Sequence, residues 1–100
     1  MRPEIRISQP ASEELTEAVR WYEERRRGLG AELLEAVSEA LTLVRDHPEI
    51  GNAYSFAPTI RRTRVQRFPY QVVYRLSPPD IIVLAIAHLK RRPNYWKGRT

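Results

Sequence analysis

The sequence predicts an α+β fold of two layers, a helical hairpin packed on a small, mainly antiparallel sheet. Three observations lead there. Two stretches with apolar residues at helical spacing lie on either side of Gly28-Leu29-Gly30. Three β-like runs follow between residues 60 and 87, joined by short turns. A brief alternating segment precedes both helices. The element order reads β-α-α-β-β-β, and 100 residues without a linker, repeat or low-complexity tract make one domain, 1–100.

Glu4 to Ser8 alternates, with Ile5 and Ile7 on one face, and reads as a short strand. Ser8 suits the N-cap of the element that follows, and Pro10 suits its first turn. Ala11, Leu15, Ala18 and Tyr22 then recur at spacings of 4, 3 and 4, with Val19 beside them, which describes an amphipathic helix. Glu13 and Glu14 are expected in its first turn and Arg25, Arg26 and Arg27 in its last, both favoured by the helix dipole. Glu17, Glu23 and Glu24 are expected to pair with Arg20, Arg26 and Arg27 at helical spacing. Gly28 stops this helix. A second is expected from about Ala31 to Arg45, on a stripe of Leu34, Val37, Leu41 and Val44 with Leu33 flanking, and Pro48 and Gly51 end it. So short a connection implies an antiparallel hairpin.

Residues 52–59 read as loop. Ile60 to Arg67 is Arg-rich and reads as an edge strand, where charge discourages aggregation. Tyr70 to Leu76 alternates roughly, and Pro78-Pro79-Asp80 marks a turn. Ile81 to Ala87 is apolar on both faces, as a central strand covered on both sides requires.

Charge divides the chain. Residues 1–50 hold 7 Arg against 11 acidic residues, a net of −4; residues 51–100 hold 8 Arg and 2 Lys against Asp80 alone, a net of +9. The second half projects a positive field, which suits an acidic partner or a nucleic acid. The excess of Arg over Lys, 15 to 2, favours forked contacts to carboxylate or phosphate. The absence of Cys excludes disulfide frameworks, thiolate nucleophiles and cysteine-based zinc sites. The residues MRPEIRIS contain no apolar core of a signal peptide, and the longest apolar run, Ile81 to Ala87, is far short of the ~20 residues of a membrane helix. A cytoplasmic protein without a membrane role is expected.

Phosphate loops, dinucleotide fingerprints and the HExxH zinc motif are absent, and His47 and His88, the only histidines, cannot build a three-histidine metal centre. No metal and no cofactor are expected. Two stretches stand out: Arg61-Arg62-Thr63-Arg64 leading to Arg67-Phe68-Pro69-Tyr70, and His88-Leu89-Lys90-Arg91-Arg92-Pro93-Asn94-Tyr95-Trp96 directly after the apolar run. Together with Tyr74, Ala85 and His47-Pro48-Glu49-Ile50-Gly51 at the end of the hairpin, they resemble the RelE/ParE superfamily of bacterial type II toxins across nearly the whole chain.

The resemblance implies a stable toxin encoded beside a cognate antitoxin whose disordered tail wraps it. It implies two possible targets, DNA gyrase for ParE-like members and messenger RNA in the ribosome for RelE-like ones. The ending Pro93-Asn94-Tyr95-Trp96 looks more like the ParE and plasmid-stabilisation branch. In that mode the chain is a protein-binding inhibitor without chemistry of its own, and Arg61, Arg62, Arg64, Arg67, Arg91, Arg92 and Trp96 are the expected contacts to target or antitoxin. In the RelE-like mode it is a metal-free endoribonuclease, with Arg64, His88, Arg91 and Tyr95 in the catalytic site. Cleavage needs a base near the 2′-oxygen, an acid at the leaving oxygen and cations on the phosphate. Tyr95 serves as acid only with a lowered pKa. A third reading is a binding protein of the toxin fold without toxicity. Each residue also has a plain structural role open to it: His88 can end a strand, Arg61 to Arg67 can be a solvated edge, and Tyr95 and Trp96 can fold the tail onto the core.

Overall fold

The computed structural model describes residues 3–100, so the first two residues of the expected 1–100 domain and of the MRPEIRIS segment lie outside the described residues. The order is β1 (Ile5–Ile7), α1 (Gln9–Arg25), α2 (Leu29–Asp46), β2 (Asn52–Tyr54), β3 (Ala57–Arg64), β4 (Tyr70–Ser77) and β5 (Asp80–His88), closed by a 3-10 helix, Tyr95–Arg99. The strands form one sheet in the order β1-β5-β4-β3-β2. β1 runs parallel to β5, and every other pairing is antiparallel.

The hairpin forms as its residues require. Ser8 has extended backbone angles, and its side chain accepts from the Ala11 backbone N–H, with Pro10 in the first turn. Gly28 caps α2 at φ 91°, a left-handed conformation that glycine adopts without strain. Gly30 permits the close crossing of the helices, because a Cβ there would lie 2.7 Å from the Val19 carbonyl oxygen. The Glu23 carboxylate ties the connection, accepting from the backbone N–H groups of Gly28 and Gly30 at 3.0 Å.

Several expectations shift. α2 begins at Leu29, and its buried side is Leu33, Ala36, Val37, Ala40 and Val44, whereas Leu34 is 49% exposed. Two adjacent leucines cannot both face the sheet, and the row through Leu33, Val37, Ala40 and Val44 keeps the 4, 3, 4 spacing. α1 begins at Gln9, which moves Glu13 and Glu14 out of its first turn and away from the dipole's positive end. Arg26 pairs with Glu32 across the hairpin at 2.9 Å. Residues 52–59 hold β2 and the start of β3, so the sheet has five strands and β3 is interior. The Arg-rich strand is therefore no edge; the short β1 and β2 occupy the edges, and shortness blunts an edge as effectively as charge.

The sheet is covered on both faces. On one side Val65, Val72, Tyr74, Val83 and Ile86 meet Ala11, Ala18, Leu33, Val37 and Val44 of the helices. On the other, Ile60, Val73, Leu84, Ala85 and Ala87 form a second cluster with Tyr54 and Trp96. β5 lies second in the sheet, between β1 and the central β4, and is covered on both faces, as its apolar run requires. A bulge adapts it: the register passes from Tyr74↔Val83 to Val73↔Ala85, leaving Leu84 extra. Among the described residues no helix is long and apolar enough to cross a membrane.

The glycine geometry is testable. Gly30→Ala drives a methyl group into backbone and is expected to cost about 1–3 kcal/mol, as overpacking does. Gly98→Ala, with nothing within 4 Å, is expected to change stability by no more than about 0.5 kcal/mol. Urea unfolding of both variants checks the contrast.

Candidate functional site

The basic residues do not share one face, because alternation along β3 separates them. Ile60 is buried toward Trp96, which places Arg62 and Arg64 on that same side. Arg61 and Val65 fall on the helix side, where Val65 joins the core. Arg61 donates from Nη1 to the backbone oxygens of Glu49 and Gly51, at 3.1 and 2.8 Å. Tyr74 reinforces the same turn, donating to the Pro48 oxygen at 2.9 Å and accepting from the Gly51 N–H at 3.0 Å. Arg61, expected among the partner contacts, therefore braces the turn after α2. Arg67 also leaves the group. It takes φ 71° before Phe68 and reaches Glu32 of α2 at 3.7 Å.

Arg62, Arg91 and Arg92 come together with His88 and Gln71 in a cleft of about 280 Å³ between the sheet and the segment after β5. Arg62 and Gln71 continue into an adjoining depression that also holds Arg64. The result is a stripe of four arginines, and no carboxylate lines either depression. Aromatic rings support two of the guanidinium groups: Arg62 lies 4.6 Å from the Tyr54 centroid and Arg91 3.9 Å from that of Tyr95. His88 is half-buried at the end of β5, packed edge to face on Tyr70 at 5.0 Å. Its Nδ1 accepts from the Lys90 backbone N–H at 3.0 Å, which assigns the proton of the neutral ring to Nε2.

The wall of the cleft is held by a residue that sequence reasoning cast only as a dipole partner. Glu14 projects from α1 past the end of β1 and accepts from the Ile86 backbone N–H at 3.1 Å, the Tyr95 hydroxyl at 2.6 Å and both Arg99 Nη atoms at 2.9 and 3.1 Å. Arg99 also donates to the Leu84 carbonyl at 3.1 Å, at the bulge. One signal was available: Glu14 stands three residues after Ala11 and four before Ala18, so it lies on the buried stripe, where a carboxylate needs partners. Burial and the bond to Glu14 push the Tyr95 phenol well above its ordinary pKa, with Arg91 and Arg99 opposing weakly. The lowered pKa required of an acid is therefore not found at Tyr95. Trp96, expected as a partner contact, is 1% exposed and fills the second core cluster, so its ring is not presented to a partner. Among the described residues no three His, Asp or Glu converge as metal ligands.

A family profile described as ParE toxin of type II toxin-antitoxin system, parDE, matches residues 5–93. Among solved structures, the chromosomal ParDE TA system from P. aeruginosa superposes with a TM-score of 0.74 at 16% identity, over 87% of this chain and 96% of that one. The YoeB dimer from Staphylococcus aureus superposes with a TM-score of 0.60 at 14% identity, over 86% of this chain and 95% of that one. Both likenesses concern the fold. No curated protein matches the sequence.

Removing the carboxylate tests the brace. Glu14→Gln leaves Arg99 without its counter-charge and is expected to destabilise by about 1–3 kcal/mol, read by thermal or urea unfolding. A pH series gives a second check. A phenol whose folded pKa is raised contributes stability below its unfolded pKa and loses it as pH climbs above that value. Stability should therefore fall above about pH 10, where tyrosines of the unfolded chain ionise first. Tyr95→Phe should flatten that decline.

Proposed function

The chain belongs to the ParE toxin family of type II toxin–antitoxin systems, and from that premise we propose that it inhibits growth by binding and poisoning DNA gyrase. Membership implies a cognate antitoxin, which we place in a neighbouring gene and assign an acidic tail. The observation that carries this reading is the inventory of the cleft. It offers Arg62, Arg91 and Arg92 with Arg64 alongside, no carboxylate, and one side chain suited to proton transfer, the His88 imidazole. The Tyr95 hydroxyl is committed to Glu14 and made less acidic. Phosphodiester cleavage without a metal needs an acid and a base on opposite sides of the phosphate. A surface with cations and a single such group suits binding better than bond breaking.

The second reading, a ribosome-dependent messenger-RNA endoribonuclease, is favoured by one observation: His88 and Arg91 line the same cleft. Both targets belong to the cytoplasm. Under the leading reading, the arginines act by long-range attraction and forked contacts to acidic groups, which makes association fast and sensitive to salt.

Expression of the toxin from an inducible promoter separates the two. Gyrase poisoning is expected to give filaments, a DNA-damage response and trapped cleaved-DNA complexes, with messenger RNA intact at early times. Arg91→Ala with Arg92→Ala should relieve toxicity more than His88→Gln, which keeps size and hydrogen bonding but not titration. Loss of all toxicity in a folded, antitoxin-binding His88→Gln protein, with ribosomal cleavage lost in parallel, would overturn the reading in favour of the nuclease, for which a general acid or base typically contributes ~10²–10⁴-fold in rate.

A further inference from the structure

On the helix side of the sheet, α1 and the ends of β4 and β5 enclose a depression of about 420 Å³ that the function above does not use. Trp21, Tyr22, Tyr70 and His88 form its walls with Ala18 and Glu17. The rings follow one another edge to face, Trp21 to Tyr22 at 4.9 Å, Tyr22 to Tyr70 at 6.3 Å and Tyr70 to His88 at 5.0 Å. No Lys or Arg lines it, in a chain that has 17 of them. Glu17 is its one carboxylate, and burial first, then Tyr22 and the charges of Glu14 and Glu17, holds the Tyr70 phenol above its ordinary pKa. Trp21 is 48% exposed and belongs to neither core cluster. Its indole already attracts one cation, since the Arg25 guanidinium lies 3.7 Å from the ring centroid, outside the depression.

We propose that this pocket binds the guanidinium of an arginine presented by a partner peptide, with the ring faces and Glu17 supplying the complementary charge. Arginine fits better than lysine because its planar group stacks on rings and forks onto a carboxylate at once. A peptide is the natural source, because His88 is a wall of both this pocket and the basic cleft. One extended segment can thus lay acidic residues in the cleft and an arginine here. That last step rests on the antitoxin reading; the pocket's preference for a cation does not.

The test needs no partner protein. N-acetyl-arginine amide is titrated into the ¹⁵N-labelled full chain, beside the neutral N-acetyl-citrulline amide and tetramethylammonium. Saturable shifts at Ala18, Tyr70 and the Trp21 indole are expected with the arginine amide and not with citrulline. Glu17→Gln should weaken binding roughly fivefold, the scale of one exposed ion pair, while Glu13→Gln leaves it unchanged. Equal shifts from arginine and citrulline, or indifference to Glu17→Gln, would overturn the site. Tetramethylammonium binding as tightly as the arginine amide would overturn the assignment to a guanidinium. Failure of an antitoxin to neutralise the toxin would overturn the peptide source alone, while the titration decides the guanidinium site.

Discussion

The Glu14 carboxylate joins α1, β5 and the C-terminal 3-10 helix at one point. β1 covers the outer edge of β5 only where Ile5 to Ile7 pair with Ile81 to Val83. Beyond that point β5 presents backbone groups that a sheet would normally satisfy with another strand. Glu14 takes the Ile86 N–H, and Arg99 takes the Leu84 oxygen. The helix thereby acts as a partial substitute for a strand, and the same carboxylate gathers Tyr95 and Arg99 against the sheet. Three parts distant in sequence meet at one charged group. Its arrangement satisfies the condition under which a partly buried ion pair is tolerable: several hydrogen bonds to each partner.

The form of the cleft follows from that anchoring. With the chain after β5 held at Tyr95 and Arg99, Trp96 is pressed onto Tyr54, Ile60 and Val73, and Arg91 comes to rest over Tyr95. Arg62 reaches the same place from β3 because pleating puts it opposite Arg61. The neighbouring arginines thus diverge in use, Arg61 inward to the turn at Glu49 and Gly51 and Arg62 outward to the cleft. Arg62 and Arg91 rest on aromatic rings, and no carboxylate lines the cleft, which leaves their charge available to an incoming anion.

Much of this was legible in the sequence. The stripe of α1, the Ser8 cap, the Gly28 junction and the doubly apolar run of β5 each follow from a local rule, and each stands where that rule puts it. The association of Arg62, Arg91 and Arg92 with His88 was also within reach, since a motif placed at the end of a central strand must lie at one end of the sheet. Other features depend on pairings between distant residues. β2 is three residues long with two of them exposed, so no periodicity marks it. The choice between Leu33 and Leu34 turned on one residue of phase in α2. The fates of Arg61 and Trp96 were set by strand phase and by the tail's path, and that path depends on Glu14, an ordinary-looking acid in a helix rich in acids.

The order in which the parts occur along the chain has a bearing on synthesis. Residues 95–99 follow every strand and both helices, yet they complete the cover of the sheet face that bears the cleft. A nascent chain that has emerged only as far as β5 holds every residue of the hairpin and the sheet. It still lacks Trp96 over Ile60 and Leu84, and Arg99 beside Glu14. The wall of the binding surface is therefore the last part of the fold to be made. A chain interrupted after β5 holds every residue of the two helices and five strands while lacking the side of the cleft that Arg91 and Tyr95 provide.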